Sequence, residues 1–367
     1  MTNPNAPMDA DNPQRAAIMI TSATPQLKLG LDVHLSFITV VVQEGHLTPK
    51  APRKMNTYEL IKQVKAWRSE GYQIHSVQES CGMGFILHRA LEAAGVHSLV
   101  ITPILLNERN TRRKTDKLDA RALCCRLSRY LDGNREELRP IRIPSEEEQR
   151  AREVSRRREF FQREIRRLAN RGNALVMEYC YQSLPKGWWG PRKWKRLTGL
   201  DPWVRERLSE LRELIIPFKK QFDALTVQLK ERVAQQSIPV GLGALTLAVL
   251  DAEICDWKRF SNRRSVGSYT GCCPGVHGSG GKERYGHIDR CGNPRVRRQL
   301  VEAVWRLLKW QPQWHARKKH LSRLQDSVAQ RKKVVVALAR QLAIDLWRWR
   351  TGRCTLEDLG LIGAIAL

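Results

Sequence analysis

The sequence predicts an α/β domain followed by an α-helical remainder: a mixed sheet covered by helices, a long two-helix arm, and a mostly helical C-terminal unit. Three observations lead there. Over residues 26–140, strand-like and helix-like runs alternate behind an opening hairpin. Over 145–236 the residues are strongly charged, with apolar positions recurring at helical spacing. Over 237–367 a glycine turn leads into apolar helices, interrupted by one basic, glycine-rich stretch at 274–293.

Residues 1–25 are polar and proline-rich and are expected to be disordered. "LKLGLDVHLSFITVVVQEG" reads as two strands joined by a tight turn. "TYELIKQVKAWRSEG" is helical, with Leu60, Ile61, Val64 and Trp67 on one side. A strand "YQIHSVQES", a helix "GFILHRALEAAG", a strand "VHSLVIT" and a helix "DKLDARALCCRLSRYL" complete the first domain.

Ser145 and Glu148 form a capping box at the next helix start. Behind it run Val154, Phe161, Ile165, Leu168 and Leu175 as an apolar seam. A second long helix begins at "DPW", with Asp201 as N-cap and Pro202 in the first helical position. Its seam is Val204, Leu208, Leu211, Ile215, Phe218, Phe222, Leu225 and Leu229, and Pro217 is expected to kink it. The pair reads as an antiparallel coiled-coil arm, serving dimerisation or packing within one chain. The loop between them sets Trp188, Trp189 and Trp194 among Arg192, Lys193 and Lys195. Such interleaving suits base stacking with phosphate contact, or tryptophans that anchor the loop to its helices. "IPVGLGALTLAVLDAEICDWKRF" resembles a helix-hairpin-helix, whose turn amides hold a nucleic-acid backbone. After the glycine-rich stretch, Asn293-Pro294 opens a helix, and more helix is expected to the C-terminus.

The 367 residues hold 64 Lys and Arg against 37 Asp and Glu, a formal net charge of +27. That excess favours a polyanion, because neutralised phosphates release condensed counterions. The N-terminus lacks the apolar core of a secretory signal. The run "VVVALARQLAIDLW" is broken by Arg340 and falls short of the ~20 residues of a membrane span. Nine cysteines without an export signal read as reduced thiols. A soluble, cytosolic, nucleic-acid-handling protein is expected.

Asp32 ends the first strand and Glu79 a later one, and these strands can be neighbours. Asp116 and Asp119 share one face of a helix. Singly, each acid reads as a cap or turn residue. Together, amid so much positive charge, they point to a divalent cation, Mg²⁺ or Mn²⁺, held by hard oxygen ligands. Ser279 lies among glycines, and the stretch alone leaves open a basic loop or a reactive serine. Lys282, Arg284, Arg290 and Arg295 are candidate phosphate contacts, and Tyr285 is a rival nucleophile. Cys272, Cys273, His277, His287 and Cys291 lack the spacing of a structural zinc site, and the cysteines read as small packing residues.

"GLDVH", "ESCG" and "KTDKLDA", followed by "GSGGKERYGHIDRCGN", resemble the DEDD-type transposases of bacterial insertion sequences, in the family numbered one-hundred-and-ten. Pilin-gene-inverting recombinases are relatives, and the resemblance covers most of the chain. It implies an RNase H-like (RuvC-like) domain carrying Asp32, Glu79, Asp116 and Asp119. It also implies a transposase domain whose nucleophilic serine maps onto Ser279. Many relatives have two adjacent serines, whereas Gly278-Ser279 leaves one hydroxyl here. Further implications are a structured noncoding bridge RNA that pairs with donor and target double-stranded DNA, and a phosphoserine intermediate. The resemblance also implies a tetramer, a dimer of dimers, joining the acids of one protomer to the serine of another. A cytoplasmic, nucleoid-associated setting would follow. Competing readings are a metal-dependent nuclease or Holliday-junction resolvase using the acids alone, and a non-catalytic nucleic-acid-binding protein.

Overall fold

Alternation along the first strand, β1 (Gln26–Val33), decides how the first unit is layered. Leu27, Leu29 and Leu31 are buried on one face, while Lys28, Gly30 and Asp32 occupy the other. The computed structural model describes residues 24–103, 116–180, 182–279, 282–324 and 327–365. Most of the N-terminal stretch expected to be disordered therefore lies outside the described residues. The chain divides into two compact units, Met1–Ile143 and Pro144–Leu367.

In the first unit, β1 is followed by β2 (Ile38–Glu44), β3 (Arg53–Met55), α1 (Thr57–Ser69), β4 (Gln73–Glu79), α2 (Ile86–Ala93), β5 (His97–Ile101) and α3 (Asp116–Leu131). The sheet order is β3-β2-β1-β4-β5. β2 is antiparallel to both its neighbours, whereas β1, β4 and β5 run parallel. This mixed sheet is consistent with the expected RNase H-like domain. The short strand β3 is an addition to the sequence reading.

One sheet face packs Leu27, Leu29, Leu31, Ile38, Val40 and Ile74 against Leu60 and Val64 of α1 and Leu87 and Leu91 of α2. The other face takes α3: Val41 meets Ala120 and Cys124, and Val77 meets Leu123 and Leu127. Gly30 makes this approach possible. A Cβ there would stand 2.5 Å from Cys124 N and 2.8 Å from Cys124 Cβ, and nearer still to the Ala120 carbonyl oxygen. At the other end of β1, the buried Lys28 donates from Nζ to Ser128 Oγ at 2.8 Å and lies 3.5 Å from Asp132. Lys28 thus marks the C-terminal end of α3 and Gly30 its earlier turns, so α3 runs antiparallel to β1. Its first turn lies toward the Asp32 end of the strand.

The second unit begins with α4 (Glu146–Cys180), α5 (Pro191–Lys195) and α6 (Pro202–Glu231). The expected caps are present: Ser145 and Glu148 exchange side-chain and backbone bonds, and Asp201 accepts from Trp203 N and Val204 N. α4 and α6 pack antiparallel, with Phe161 on Phe218 at 5.6 Å and Arg158 Nε donating to Thr226 Oγ1 at 2.7 Å. α6 passes through Pro217 as one helix.

There follow β6 (Ser237–Pro239), α7 (Ala244–Ile254), α8 (Arg263–Tyr269), β7 (Pro274–Ser279), β8 (Lys282–Ile288), α9 (Pro294–Trp310), α10 (His315–Lys319), α11 (Leu321–Leu324), α12 (Val328–Arg350) and β9 (Gly363–Ile365). Leu247 and Leu250 of α7, Leu300 and Val304 of α9, and Leu338 and Leu342 of α12 share one core. β6 precedes the glycine turn and α7 follows it. One expectation is corrected: the last described residues form β9, paired antiparallel with β6, instead of helix. The fully buried Gln311 holds the flanks of these two strands together: its amide nitrogen donates to Val240 O and Ile362 O, and its oxygen accepts from Ile362 N. Among the described residues, no helix is long and apolar enough to cross a membrane.

Gly30→Ala is expected to destabilise the protein by at least about 1–3 kcal/mol, the usual cost of forcing extra carbon into a packed site. Denaturant titration followed by circular dichroism would measure it.

Candidate active site

The strand register brings two of the expected acids together. β1 pairs with β4 up to Leu31 opposite Gln78, so Asp32 and Glu79 are the next residues side by side. Gly30 pairs with Val77, which packs on α3, and alternation puts Asp32 and Glu79 on that same face. Asp119, in the first turns of α3, is buried at 9% exposure. The backbone of Asp116 opens this helix, while its side chain lies outside the described residues. Two carboxylates therefore share one face of the sheet at the strand ends, and Asp119 stands in the first turn of the helix that covers this face, whose dipole favours negative charge there.

His34 is a partner that the sequence reading did not single out. Its Nε2 lies 3.1 Å from Asp32 Oδ2, and its ring rests on Phe37 at 4.7 Å. The signal was present in the spacing, since His34 follows Asp32 by two residues, just past the end of β1. Hard oxygen donors set at one sheet edge suit a divalent ion that completes its shell with water and phosphate oxygens. Among the described residues, no three His, Cys, Asp or Glu side chains already stand close enough to cage an ion.

Ser279 ends β7 of a β-hairpin. The register runs Val276 to Tyr285, His277 to Arg284, Gly278 to Glu283 and Ser279 to Lys282, and Gly280 and Gly281 lie outside the described residues. Where a loop or a reactive segment was weighed, the backbone is strand up to the serine. The side chains of Ser279, Lys282, Arg284 and Tyr285 also lie outside the described residues. Arg290 is exposed, just beyond β8.

The hairpin is fastened at its base. Asp289 N donates to Cys273 O at 2.9 Å. Gly292 fits so tightly that a Cβ would run into Gly271 N and Tyr269 O. Next, Asn293 uses its side-chain oxygen to cap α9 through Arg295 N and Val296 N. Its Nδ2 donates to Glu253 Oε2 at 3.0 Å and to Tyr269 Oη at 3.2 Å. Glu253, on α7, is fully buried and takes two bonds from Arg156 of α4, each 3.1 Å. Burial pushes the Glu253 carboxyl up, but the bonds from Arg156 and Asn293 and the charges of Arg156 and Arg152 outweigh it and hold it below its ordinary value. One buried carboxylate thus ties the hairpin's exit to the long helix α4.

Other expected contacts are engaged within the chain. Arg295 Nε donates to Glu159 Oε2 at 2.6 Å, and Arg298 donates to the other oxygen at 2.8 Å. Arg295 is thus an internal tie before it is a phosphate contact. Trp188 is 2% exposed, and its Nε1 donates to Ala169 O. It packs over Gly172 beside Leu208, which is the anchoring role. The half-buried Trp194 has the guanidinium groups of Arg205 and Arg212 over its ring at 5.0 and 5.2 Å. Arg192, Lys193 and Lys195 remain exposed on α5.

Cys272 is buried in the core, and that burial pushes its thiol up, which disfavours the thiolate that a zinc site needs. Cys291 is exposed, so the packing role fits Cys272 and not Cys291.

Residues 29–181 match a DEDD transposase model of the IS110 type, and residues 236–319 match "Transposase IS116/IS110/IS902 family". The protein y4rJ of Sinorhizobium fredii, named as a transposase, is 29% identical over 330 residues, covering 82% of each chain. The transposase for insertion sequence element IS1533 of Leptospira borgpetersenii is 25% identical over 76% of this chain and 84% of its own. The transposase for IS1328 of Yersinia enterocolitica is 25% identical over 62% of this chain and 68% of its own.

Glu253→Ala is expected to cost about 1–3 kcal/mol, because it leaves the amide of Asn293 and the partly exposed Arg156 without their shared partner. The folded Glu253 carboxyl lies below its ordinary 4.5, so its stabilisation is complete above that pH and is lost as pH falls through the lowered value. Urea midpoints measured from pH 7 to pH 3 should fall more steeply for the native chain than for Glu253→Gln.

Proposed function

We propose that this chain is an IS110-family DEDD transposase that cuts and rejoins DNA, a reading supported by two matches to one transposase family in order along a single chain. The family membership carries DNA transposition of the insertion-sequence kind, and a DEDD transposase calls for a divalent metal. The finer reading rests on one observation above the others: Asp32 and Glu79 lie side by side on the face that takes α3, where Asp119 is buried.

In this reading, Asp32, Glu79, Asp116 and Asp119 hold Mg²⁺ or Mn²⁺. The ion, when bound, supplies Lewis-acid stabilisation of charge on the transferring phosphoryl group. Ser279 is the nucleophile. Its Oγ forms a bond to phosphorus as one bridging P–O bond of the DNA strand breaks. The Oγ proton passes to a base, and the leaving strand oxygen takes up a proton. The resulting phosphoserine keeps the ester, so a hydroxyl of a second strand can reverse the step without ATP. A serine that ends a strand and is followed in sequence by two glycines suits this work, because glycine lets backbone approach a phosphate closely.

Lys282, Arg284 and Arg290 flank the scissile phosphate. Exposed Arg192, Lys193 and Lys195, with Trp194, contact nucleic acid further away, and Arg295 contributes through its tie to Glu159. Guidance by a structured RNA pairing with donor and target DNA follows from the resemblance, and a net charge of +27 accommodates it. Assembly of the site from the carboxylates of one protomer and the serine of another, in a dimer of dimers, follows from the resemblance alone. The setting is cytoplasmic, at the nucleoid.

Recombination with donor DNA, target DNA, co-purified RNA and Mg²⁺ tests this reading. Ser279→Ala is expected to lose recombination by at least about 1,000-fold, along with any denaturant-resistant DNA adduct. Asp32→Asn should lose both as well. Cleavage that survives in Ser279→Ala would leave the cutting to the carboxylates alone. RNA sequencing of the purified protein should return one structured species, and a random mixture would remove RNA guidance.

A further inference from the structure

The sheet buries several oxygen atoms that have no hydrogen-bond partner, and one of them stands beside Asp32. Thr39, on β2, is directly opposite Asp32 in the β1–β2 register. It is 1% exposed, and its Oγ1 is buried without a hydrogen-bond partner. Opposed residues in an antiparallel pair share a face, with Cβ atoms about 4.5–5.5 Å apart. Thr39 therefore projects to the α3 side, as does Val41 on the same strand, which packs on Ala120 and Cys124. Among the described residues of the sheet, the other orphaned side-chain oxygens are those of Ser76, Gln78 and Ser98. All three belong to the opposite face, in register with Leu29 and Leu31. Among the described residues of the sheet, Thr39 Oγ1 is thus the one buried side-chain oxygen on the carboxylate side without a partner.

A buried hydroxyl without a partner is costly, and valine has the same shape without that cost. A threonine kept in such a place calls for a polar occupant. We infer that Thr39 is a positioning residue: its hydroxyl accepts a hydrogen bond from a water in the shell of the divalent ion held by Asp32. Polar groups outside the ligand set fix the orientation of the set and its waters, and their loss lowers metal affinity about 10–100-fold. Half-buried Asp32, directly opposite in the register, and the ion itself supply the further partners that such a water needs. This inference rests on the carboxylate reading of the site, and the experiment separates the two.

Free Mn²⁺ is titrated against the full-length protein by electron paramagnetic resonance, with thermal unfolding followed in parallel without metal. Thr39→Val should bind Mn²⁺ at least about 10-fold more weakly, while its metal-free melting midpoint is no lower than that of the native chain. Thr39→Ser, which keeps the hydroxyl, should stay within about 3-fold of native affinity. Native affinity in Thr39→Val would overturn the inference. So would a lowered metal-free midpoint, since the hydroxyl would then serve the fold itself. Asp32→Asn is the control: Mn²⁺ binding unchanged in that variant overturns the carboxylate reading, and this inference with it.

Discussion

The close approach of α3 to β1 at Gly30 is the constraint on which the candidate chemistry depends. The carboxylates come from two strand ends and one helix start, and a helix can join the strands only if it lies against the sheet. At Gly30 the helix backbone occupies space that any Cβ would need. Lys28 then fixes the direction, because its ammonium reaches Ser128 and Asp132 at the far end of the helix. With those two points set, the first turn of α3 lies at the Asp32 end of β1. Placing half-buried Asp32 and Glu79 on one face, with buried Asp119 in the helix that covers it, invites repulsion, which a divalent ion relieves.

The second unit solves a comparable problem with one buried carboxylate, paired with a partly exposed arginine. Glu253 is surrounded by apolar residues of α7, yet it gathers Arg156, Asn293 and Arg295 around it. Such a pair adds little net stability compared with hydrophobic residues, but removing one member leaves its partners unsatisfied. Its value here is geometric. Asn293 both caps α9 and binds Glu253, so the chain leaving the Ser279 hairpin is fixed to two helices within one residue. The flanking bridge from Arg295 and Arg298 to Glu159 adds a second tie to α4.

Much of this was legible in the sequence, and the reasons for success and failure are physical. β1, β2, β4 and β5 alternate with period two and α1 to α3 with period 3.6, so their order and neighbours could be read. The strand order then gave the adjacency of Asp32 and Glu79. β3 and β9 are three residues each, too short to show a period. Gly30 and Thr39 matter through what lies across from them, and one chain's residue order does not display that. Charge counting also misleads: Arg295 reads as a free cation until Glu159, 136 positions earlier, is brought beside it. Trp188 sits in a basic loop, but its own burial against α4 and α6 decides its role.

The most direct measurement of the carboxylate site is an anomalous difference map from crystals grown with Mn²⁺ and a DNA strand. The account predicts a peak at about 2.1 Å from carboxylate oxygens of Asp32 and its neighbours Glu79 and Asp119. A map in which Mn²⁺ binds elsewhere, with that face of the sheet empty, would contradict it.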